Sequence, residues 1–182
     1  MRSFFYNDFV KQALAVLFMF GFAGLAHAQQ NENQGVRIRP VTSTFSVSAQ
    51  MQVDDIKRAA EEGYTLVINH RPDGEGGPDQ PTSAELAQAA READIAYEYI
   101  PFRSGHMTDE AFDKTKMTLA SHEGKTVSFC RSGTRAITIW AMAQSASGNM
   151  APDETIRAAR AAGYDLGRQR SRLNALAEEA KP

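Results

Sequence analysis

One stretch constrains this chain more than any other: residues 126–135, which read TVSFCRSGTR, and the apolar run AITIWAMA that follows. The β-branched and aromatic residues before Cys130 are typical of a strand, and the apolar run is typical of a buried helix. Four residues separate Cys130 from Arg135, and Gly133 is one of them. The sequence therefore predicts a strand, a tight loop and a helix, with the chain's only cysteine at the base of the loop.

This loop is predicted to bind anions. Its N–H groups and those of the first helical turn have no intrahelical partner, and the helix dipole adds partial positive charge there. Gly133 lets the backbone turn back without a Cβ clash, and Arg135 can hold an oxyanion through two parallel N–H donors. The predicted anion-binding loop comprises Arg131, Ser132, Gly133 and Thr134.

Cys130 is the predicted nucleophile, because the guanidiniums of Arg131 and Arg135 are expected to favour its thiolate form. The alternative is an inert core thiol, since free cysteines are often buried.

The string Cys130–Arg135 resembles the active-site loop shared by cysteine-dependent protein phosphatases and rhodanese-type sulfurtransferases. Other segments resemble, in the same order, the phosphatase-like domain of the beta-lactamase-hydrolase-like proteins, formerly a domain of unknown function and also labelled a sulfur transferase family. These segments are Phe45–Gln50, Gly63–Glu75, Tyr99–Pro101 and Ala162–Asp165. The resemblance covers residues 40–178 and implies a dual-specificity-phosphatase-like fold, with the Cys130 loop at the carboxyl end of a strand.

The order of the predicted elements also indicates the fold class. Strands and helices alternate through residues 45–147, which predicts an α/β domain with a mainly parallel central sheet flanked by helices, followed by C-terminal helices. Thr108 is the predicted N-cap of one helix, in which we expect three side chains to be buried. These are Phe112, Met117 and Leu119.

Residues 1–28 are predicted to be a secretory signal peptide, with the apolar run Ala13–Ala26 and a small-residue cleavage site at Ala26-His27-Ala28. The alternative is an uncleaved anchor, but the apolar run is shorter than the roughly 20 residues that a membrane-spanning helix needs. We therefore expect an exported, periplasmic protein with no membrane partner after cleavage. Residues 29–44 are predicted to be a flexible leader and 45–178 the phosphatase-like domain.

Export changes the interpretation of the single cysteine. One cysteine cannot form an internal disulfide, and a free thiol is unusual in an oxidising compartment. Catalysis explains it, and an intermolecular disulfide is the alternative.

Two loops are expected to supply the remaining site residues. In the loop after residue 68, Arg71 is a candidate anion contact, and Asp73 or Glu75 is a candidate proton donor. The alternative is an ordinary turn, because Pro-Asp-Gly is a common turn string. By the resemblance, a second loop around His106 lies where phosphatases of this fold carry their general-acid aspartate, yet it holds no Asp before Asp109.

Composition indicates what is not expected. The histidines at 70, 106 and 122 are widely spaced and there is no second cysteine, so neither a metal site nor a cofactor is predicted. The net charge is −2, and removal of a segment carrying Arg2, Lys11 and Asp8 changes it to −3. Such a mixed charge indicates no nucleic-acid partner, and it leaves the oligomeric state open.

Two reaction classes remain, both acting on a small anionic substrate. In one, Cys130 attacks a phosphate ester and forms a phosphocysteine; in the other, it accepts a sulfane sulfur and forms a persulfide. The motifs outside the loop favour the phosphatase-like hydrolase. A loop with four residues between Cys and Arg, where cysteine phosphatases have five, favours sulfur transfer, as do the missing Asp and the predicted export. A non-catalytic anion-binding module is the third hypothesis.

Overall fold

A computed structural model describes residues 35–181. Its centre is a five-stranded sheet with the strand order β1-β2-β5-β3-β4, in which β1 is antiparallel to β2 and every other neighbouring pair is parallel. The strands are β1 Ile38–Pro40, β2 Phe45–Ser48, β3 Tyr64–Asn69, β4 Ala96–Tyr99 and β5 Lys125–Phe129. The middle strand, β5, is the one that leads into Cys130.

In the part of the chain that the structure describes, six α-helices surround the sheet. They are α1 Val53–Glu61, α2 Ser83–Glu92, α3 Asp109–Ser121, α4 Thr134–Ala146, α5 Pro152–Ala161 and α6 Arg170–Glu179, with a short 3₁₀ turn at Gly167–Gln169. Helices α1 and α2 cover one face of the sheet, and α3 to α6 lie on the other. The predicted α/β class, with a mainly parallel sheet and C-terminal helices, is confirmed. Within residues 35–181, no helix is both long and apolar enough to cross a membrane.

Helix α4 is buried almost throughout and fixes the loop that precedes it. Nine of its 13 residues are buried, including Arg135 in the first turn. Trp140 stacks on Phe45 of β2, with 5.1 Å between the ring centroids. Because its side chains are close-packed on the sheet, the start of α4 is held at a fixed position beside the end of β5.

Local sequence signals set the helix boundaries. Thr82 and Glu85 form a capping box, in which the Thr82 side chain accepts from the Glu85 N–H and the Glu85 carboxylate accepts from the Thr82 N–H. Thr108 accepts from the Ala111 N–H at 3.1 Å, and Pro152 occupies the first position of α5.

The sheet begins earlier than the sequence analysis predicted. Residues 29–44 were expected to be a flexible leader, yet β1 lies within them at Ile38–Pro40. The segment is held because Val36 and Ile38 pack against the core under α1, and the Val36 N–H donates to Asp55 Oδ1 at 3.0 Å. The predicted signal peptide, residues 1–28, and the first part of the leader lie outside the described residues.

One predicted core residue in α3 is also corrected. Met117 is 62% exposed, whereas the buried residues of this helix are Ala111 and Thr115. Those two are four positions apart and share a face, but position 117 is about 200° around the helix from Thr115. Phe112 and Leu119 are half-buried and pack against the core.

Candidate active site

The strand, loop and helix around Cys130 are present as predicted. Cys130 directly follows β5, is 1% exposed, and is separated from the first residue of α4 by a three-residue turn. The neighbouring strands hold this turn from both sides: the His70 N–H donates to Phe129 O at 2.9 Å, and the Gln50 N–H donates to Arg131 O at 3.3 Å. The loop therefore lies at the carboxyl edge of the sheet, between the ends of β2 and β3.

Gly133 makes the tight turn possible. Its φ is +88°, and a Cβ there would lie 2.1 Å from Tyr164 Oη and 2.8 Å from Val47 Cγ1. Any other side chain would meet both a backbone penalty and a steric clash.

Tyr164 supports the loop from outside, and the sequence analysis assigned it no role. Its hydroxyl donates to Ser132 O at 3.1 Å. Burial raises the pKa of Tyr164, which keeps the hydroxyl protonated as a donor. Residues 162–165 were part of the family resemblance, and this was the only sequence signal for Tyr164. The contact with Ser132 could not be predicted from it, because the two residues are 32 positions apart.

Arg135 points from the first turn of α4 towards the loops that follow β3 and β4. Its Nη1 donates to Phe102 O at 2.8 Å and to His70 O at 3.4 Å, and its Nη2 donates to Glu75 Oε2 at 2.6 Å. Among the described residues, these contacts leave its Nε–H and one Nη2–H without a partner. Two free donors on one guanidinium are enough to bind an oxyanion.

Glu75 lies between two guanidiniums. The same Oε2 atom that meets Arg135 also accepts from Arg71 Nε at 2.9 Å, and Arg71 Nη1 donates to Gln50 Oε1 at 2.8 Å. Burial tends to raise the pKa of Glu75, but the hydrogen bonds and charges of Arg135 and Arg71 outweigh it and hold the pKa below its ordinary value of 4.5. Glu75 is therefore ionised at neutral pH and orients the two arginines.

Asp73 is turned towards α2. Its two carboxylate oxygens accept from the N–H and the hydroxyl of Ser83, both at 2.7 Å, and its own N–H donates to Tyr99 Oη at 3.0 Å. A carboxylate at the start of α2 is well placed to interact with the helix dipole. Asp73 also lines a cavity of about 360 Å³ together with Glu75 and Arg103. Its predicted role as a proton donor stays a prediction.

The remaining candidate residues are exposed. Arg131, Ser132 and Thr134 point away from the core, with the Ser132 and Thr134 hydroxyls 3.1 Å apart. His106 lies in a turn closed by its N–H and Arg103 O at 2.9 Å. The structure thus brings Arg71, Glu75 and Arg135 together and leaves Arg131 and His106 on the surface.

His70 is a site residue that the sequence analysis treated only as one of three scattered histidines. It is fully buried, its Nδ1 donates to Ile100 O at 2.9 Å, and its Nε2 has no hydrogen-bond partner among the described residues. Burial lowers its pKa to about 4, so the ring is neutral at physiological pH. Between residues 35 and 181, no three His, Cys, Asp or Glu side chains form a cluster that could hold a metal ion.

Comparison with known proteins identifies the family. The sequence profile of the beta-lactamase hydrolase-like protein, phosphatase-like domain, matches residues 37–147. That range contains all five strands, the Cys130 loop and helix α4. The chain belongs to this family. The predicted resemblance to the phosphatase-like domain is therefore confirmed.

Relatives of this phosphatase-like domain differ in length. A beta-lactamase hydrolase-like protein of Xylella fastidiosa is 35% identical over 133 residues, which is 73% of this chain but 31% of the relative. The chain thus spans about a third of that relative. Among solved structures, a protein of Neisseria meningitidis described as a candidate phosphatase is 28% identical, with a TM-score of 0.66, covering 76% of this chain and 97% of that one.

A more distant structure shows how widely the fold is shared. The kinase associated phosphatase is 14% identical, with a TM-score of 0.62, covering 82% of this chain and 98% of that one. At this identity, the likeness shows the fold alone. The phosphatase-like domain therefore has the protein-phosphatase fold that the sequence predicted.

Proposed function

We propose that this chain is a cysteine-dependent hydrolase that removes phosphate from small phosphate esters. One observation carries the proposal: Cys130 and Arg135 are both buried at the two ends of one short loop, between the carboxyl end of the middle strand and the first turn of a buried helix. The phosphatase-type family and fold support the same reaction class.

In the proposed reaction, the Cys130 thiolate attacks phosphorus, so that a P–S bond forms as the bond to the leaving oxygen breaks. The loop N–H groups and the free N–H donors of Arg135 stabilise the charge on the three equatorial oxygens. Water then attacks the phosphocysteine, which releases inorganic phosphate and restores the thiolate. Because Arg135 is already tied to Phe102 O and Glu75, its orientation is fixed before the substrate binds.

The leaving oxygen needs a proton unless it is weakly basic. The Asp73 carboxylate is bound to Ser83, and the Arg contacts keep Glu75 ionised. Asp73 and His106 remain the proposed candidates for this role, whereas Glu75, which is ionised at neutral pH, has no proton to donate. The geometry favours substrates whose leaving group departs without strong assistance, such as aryl phosphates.

The same observation favours a second candidate, a rhodanese-type sulfurtransferase. In that reaction, the S–S bond of thiosulfate breaks, its outer sulfur forms a persulfide on Cys130, and sulfite leaves with the bonding electrons. Sulfite is a weak base and needs no general acid. The persulfide then passes its outer sulfur to cyanide, which gives thiocyanate and restores the thiolate. A Cys130 loop with four intervening residues also suits a single sulfur atom.

A paired assay on the reduced protein tests the proposal. One arm measures hydrolysis of p-nitrophenyl phosphate, and the other measures thiocyanate formed from thiosulfate and cyanide, with Cys130→Ser as the control in both. We expect phosphate release that is lost in the variant. Thiocyanate formation without phosphate release would replace the proposal with the sulfurtransferase, and activity in neither arm would favour the anion-binding module.

We also propose that the protein is exported to the periplasm through residues 1–28. The support is the apolar segment and its small-residue cleavage site. N-terminal sequencing of the protein recovered from a periplasmic extract should give Gln29 as the first residue. Recovery of the intact N-terminus from the membrane fraction would show an anchor instead.

A further inference from the structure

A second cavity, of about 420 Å³, borders Arg135 and has a lining that is partly apolar and mostly polar. Its apolar part is formed by Phe102, Met107 and Met142, of which Phe102 and Met142 are buried in the core. A volume of this size is large enough for a small organic molecule. The cavity shares Thr134 with the Cys130 loop, so a molecule bound there would lie next to the proposed phosphoryl site.

The rim of this cavity is basic. It is lined by Arg168 of the 3₁₀ turn and Arg172 of α6, both exposed and neither paired with a carboxylate among residues 35–181. Arg170, which lies between them in sequence, is paired with Asp153 and does not line the cavity.

The basic lining stands out in a chain whose net charge is −2. Three of the described lining residues are arginines and none is Asp or Glu. Guanidiniums that line the same cavity as apolar side chains suit a ligand with an apolar part and an anionic end. Arg135 would hold one anionic group, which leaves the two rim arginines for another.

We propose that the substrate is a phosphate monoester whose leaving group has an apolar body and a second anionic group, bound by Arg168 and Arg172. This inference rests on the proposed function, in which Arg135 holds the phosphoryl group that is transferred. A carboxylate and a second phosphoryl group share the chemistry that two guanidiniums recognise, through paired N–H donors and charge.

Turnover of two matched substrates tests the inference. We compare 4-carboxyphenyl phosphate with 4-carbamoylphenyl phosphate, which is similar in size but neutral at the second position. For the protein as it stands, kcat/KM should favour the carboxylate by about fivefold, since partly exposed ion pairs contribute up to roughly 1 kcal/mol. The Arg168→Gln/Arg172→Gln variant should lose this preference. Arg157→Gln/Arg160→Gln, which removes the same charge from the exposed surface of α5, should keep it.

Equilibrium binding keeps the inference testable if turnover is absent. Calorimetry on Cys130→Ser would compare 4-(phosphonomethyl)benzoate, 4-(phosphonomethyl)benzamide and the corresponding bisphosphonate, which cannot be hydrolysed. We expect the benzoate to bind more tightly than the benzamide, and only in proteins that keep Arg168 and Arg172. Tighter binding of the bisphosphonate than of the benzoate would identify the second group as phosphoryl.

The two proposals fail differently. Absence of phosphate release overturns the proposed hydrolase while the binding preference can persist. Three results would overturn the second anion site even if phosphate is released. They are equal affinity for the benzoate and the benzamide, no binding of either, and a preference for the benzoate that survives loss of both rim arginines.

Discussion

At the scale of single residues, Gly133 is the position where backbone and packing restrict the side chain most. Its φ of +88° and the 2.1 Å between its hypothetical Cβ and Tyr164 Oη act together. A substitution at Gly133 alone would therefore not show how much of the destabilisation comes from backbone strain and how much from the steric clash. Several other glycines also have a positive φ and provide a comparison.

Substitution of two glycines separates these effects. Gly148 has a φ of +66° but open space around its Cβ position. We expect Gly133→Ala to lower the free energy of unfolding by about 2 kcal/mol more than Gly148→Ala, since only the first forces Tyr164 and Val47 to move. Urea denaturation of the two variants measures the difference. Equal losses would show that the loop relaxes around the extra methyl group.

His70 makes stability depend on pH. Its pKa is lowered to about 4 in the folded protein, mainly by burial, from an ordinary value of 6.5. Between these two values, the unfolded chain binds a proton that the folded protein does not bind. Stability from this residue is therefore complete above pH 6.5 and is lost as the pH falls towards 4.

Replacing His70 by a residue that does not titrate should make the free energy of unfolding less dependent on pH. The protein should lose roughly 3 kcal/mol more than His70→Asn between pH 7 and pH 4, because Asn retains a donor for Ile100 O but does not titrate. Urea denaturation of both proteins at several pH values gives the free energy of unfolding as a function of pH. The carboxylates are the same in both proteins, so their contribution cancels in the difference between the two curves. Parallel slopes would contradict the buried, neutral imidazole. His70→Gln serves as a second variant if Asn does not fold.

At the scale of elements, Asp55 joins β1 to α1. Its carboxylate accepts from the Val36 N–H at 3.0 Å, from the Gln52 N–H at 2.8 Å and from Arg58 Nη2 at 2.8 Å. Arg58 completes the link by donating to Val36 O at 2.9 Å. One buried side chain thus caps the helix and holds the chain segment that enters the sheet.

We expect Asp55→Ala to lower the free energy of unfolding by about 2 to 3 kcal/mol. The change removes a helix cap and leaves two partly buried N–H groups without their acceptor. Asp54→Ala is the matched control, because Asp54 lies in the same first turn but is exposed. Its effect should stay within about 0.5 kcal/mol. Comparable losses in the two variants would show that β1 does not depend on this link.

The contacts of Asp55 and Arg58 with Val36 also explain why β1 was not predicted from the sequence although other elements were. The strand and helix on either side of Cys130 and the N-cap at Thr108 could be predicted, because those signals are local. Strand β1 has three residues, one of them Pro40, in a polar stretch. The residue that contacts Asp55 and Arg58, Val36, lies 19 and 22 positions from them, and no periodicity in the sequence indicates such a contact.

At the scale of the whole molecule, the site is assembled at one edge of the sheet from segments far apart in sequence. Cys130, Gly133 and Arg135 could be predicted from one short string, because strand, turn and helix dipole are local properties. The Glu75–Arg135 pair spans 60 positions, and the cavity rim comes from the 3₁₀ turn after α5 and from α6. Those contacts depend on the conformation of long loops. The sequence could therefore indicate which loop residues belong to the site but not which residues they contact.

Formation of a covalent adduct on Cys130 tests the central claim most directly. The reduced protein is mixed with an aryl phosphate or, separately, with thiosulfate, quenched within the first turnover and digested, and the mass of the peptide that carries Cys130 is measured. The proposed function predicts a phosphoryl group on Cys130 after the phosphate ester. A persulfide after thiosulfate, with no phosphoryl adduct from the ester, would contradict it.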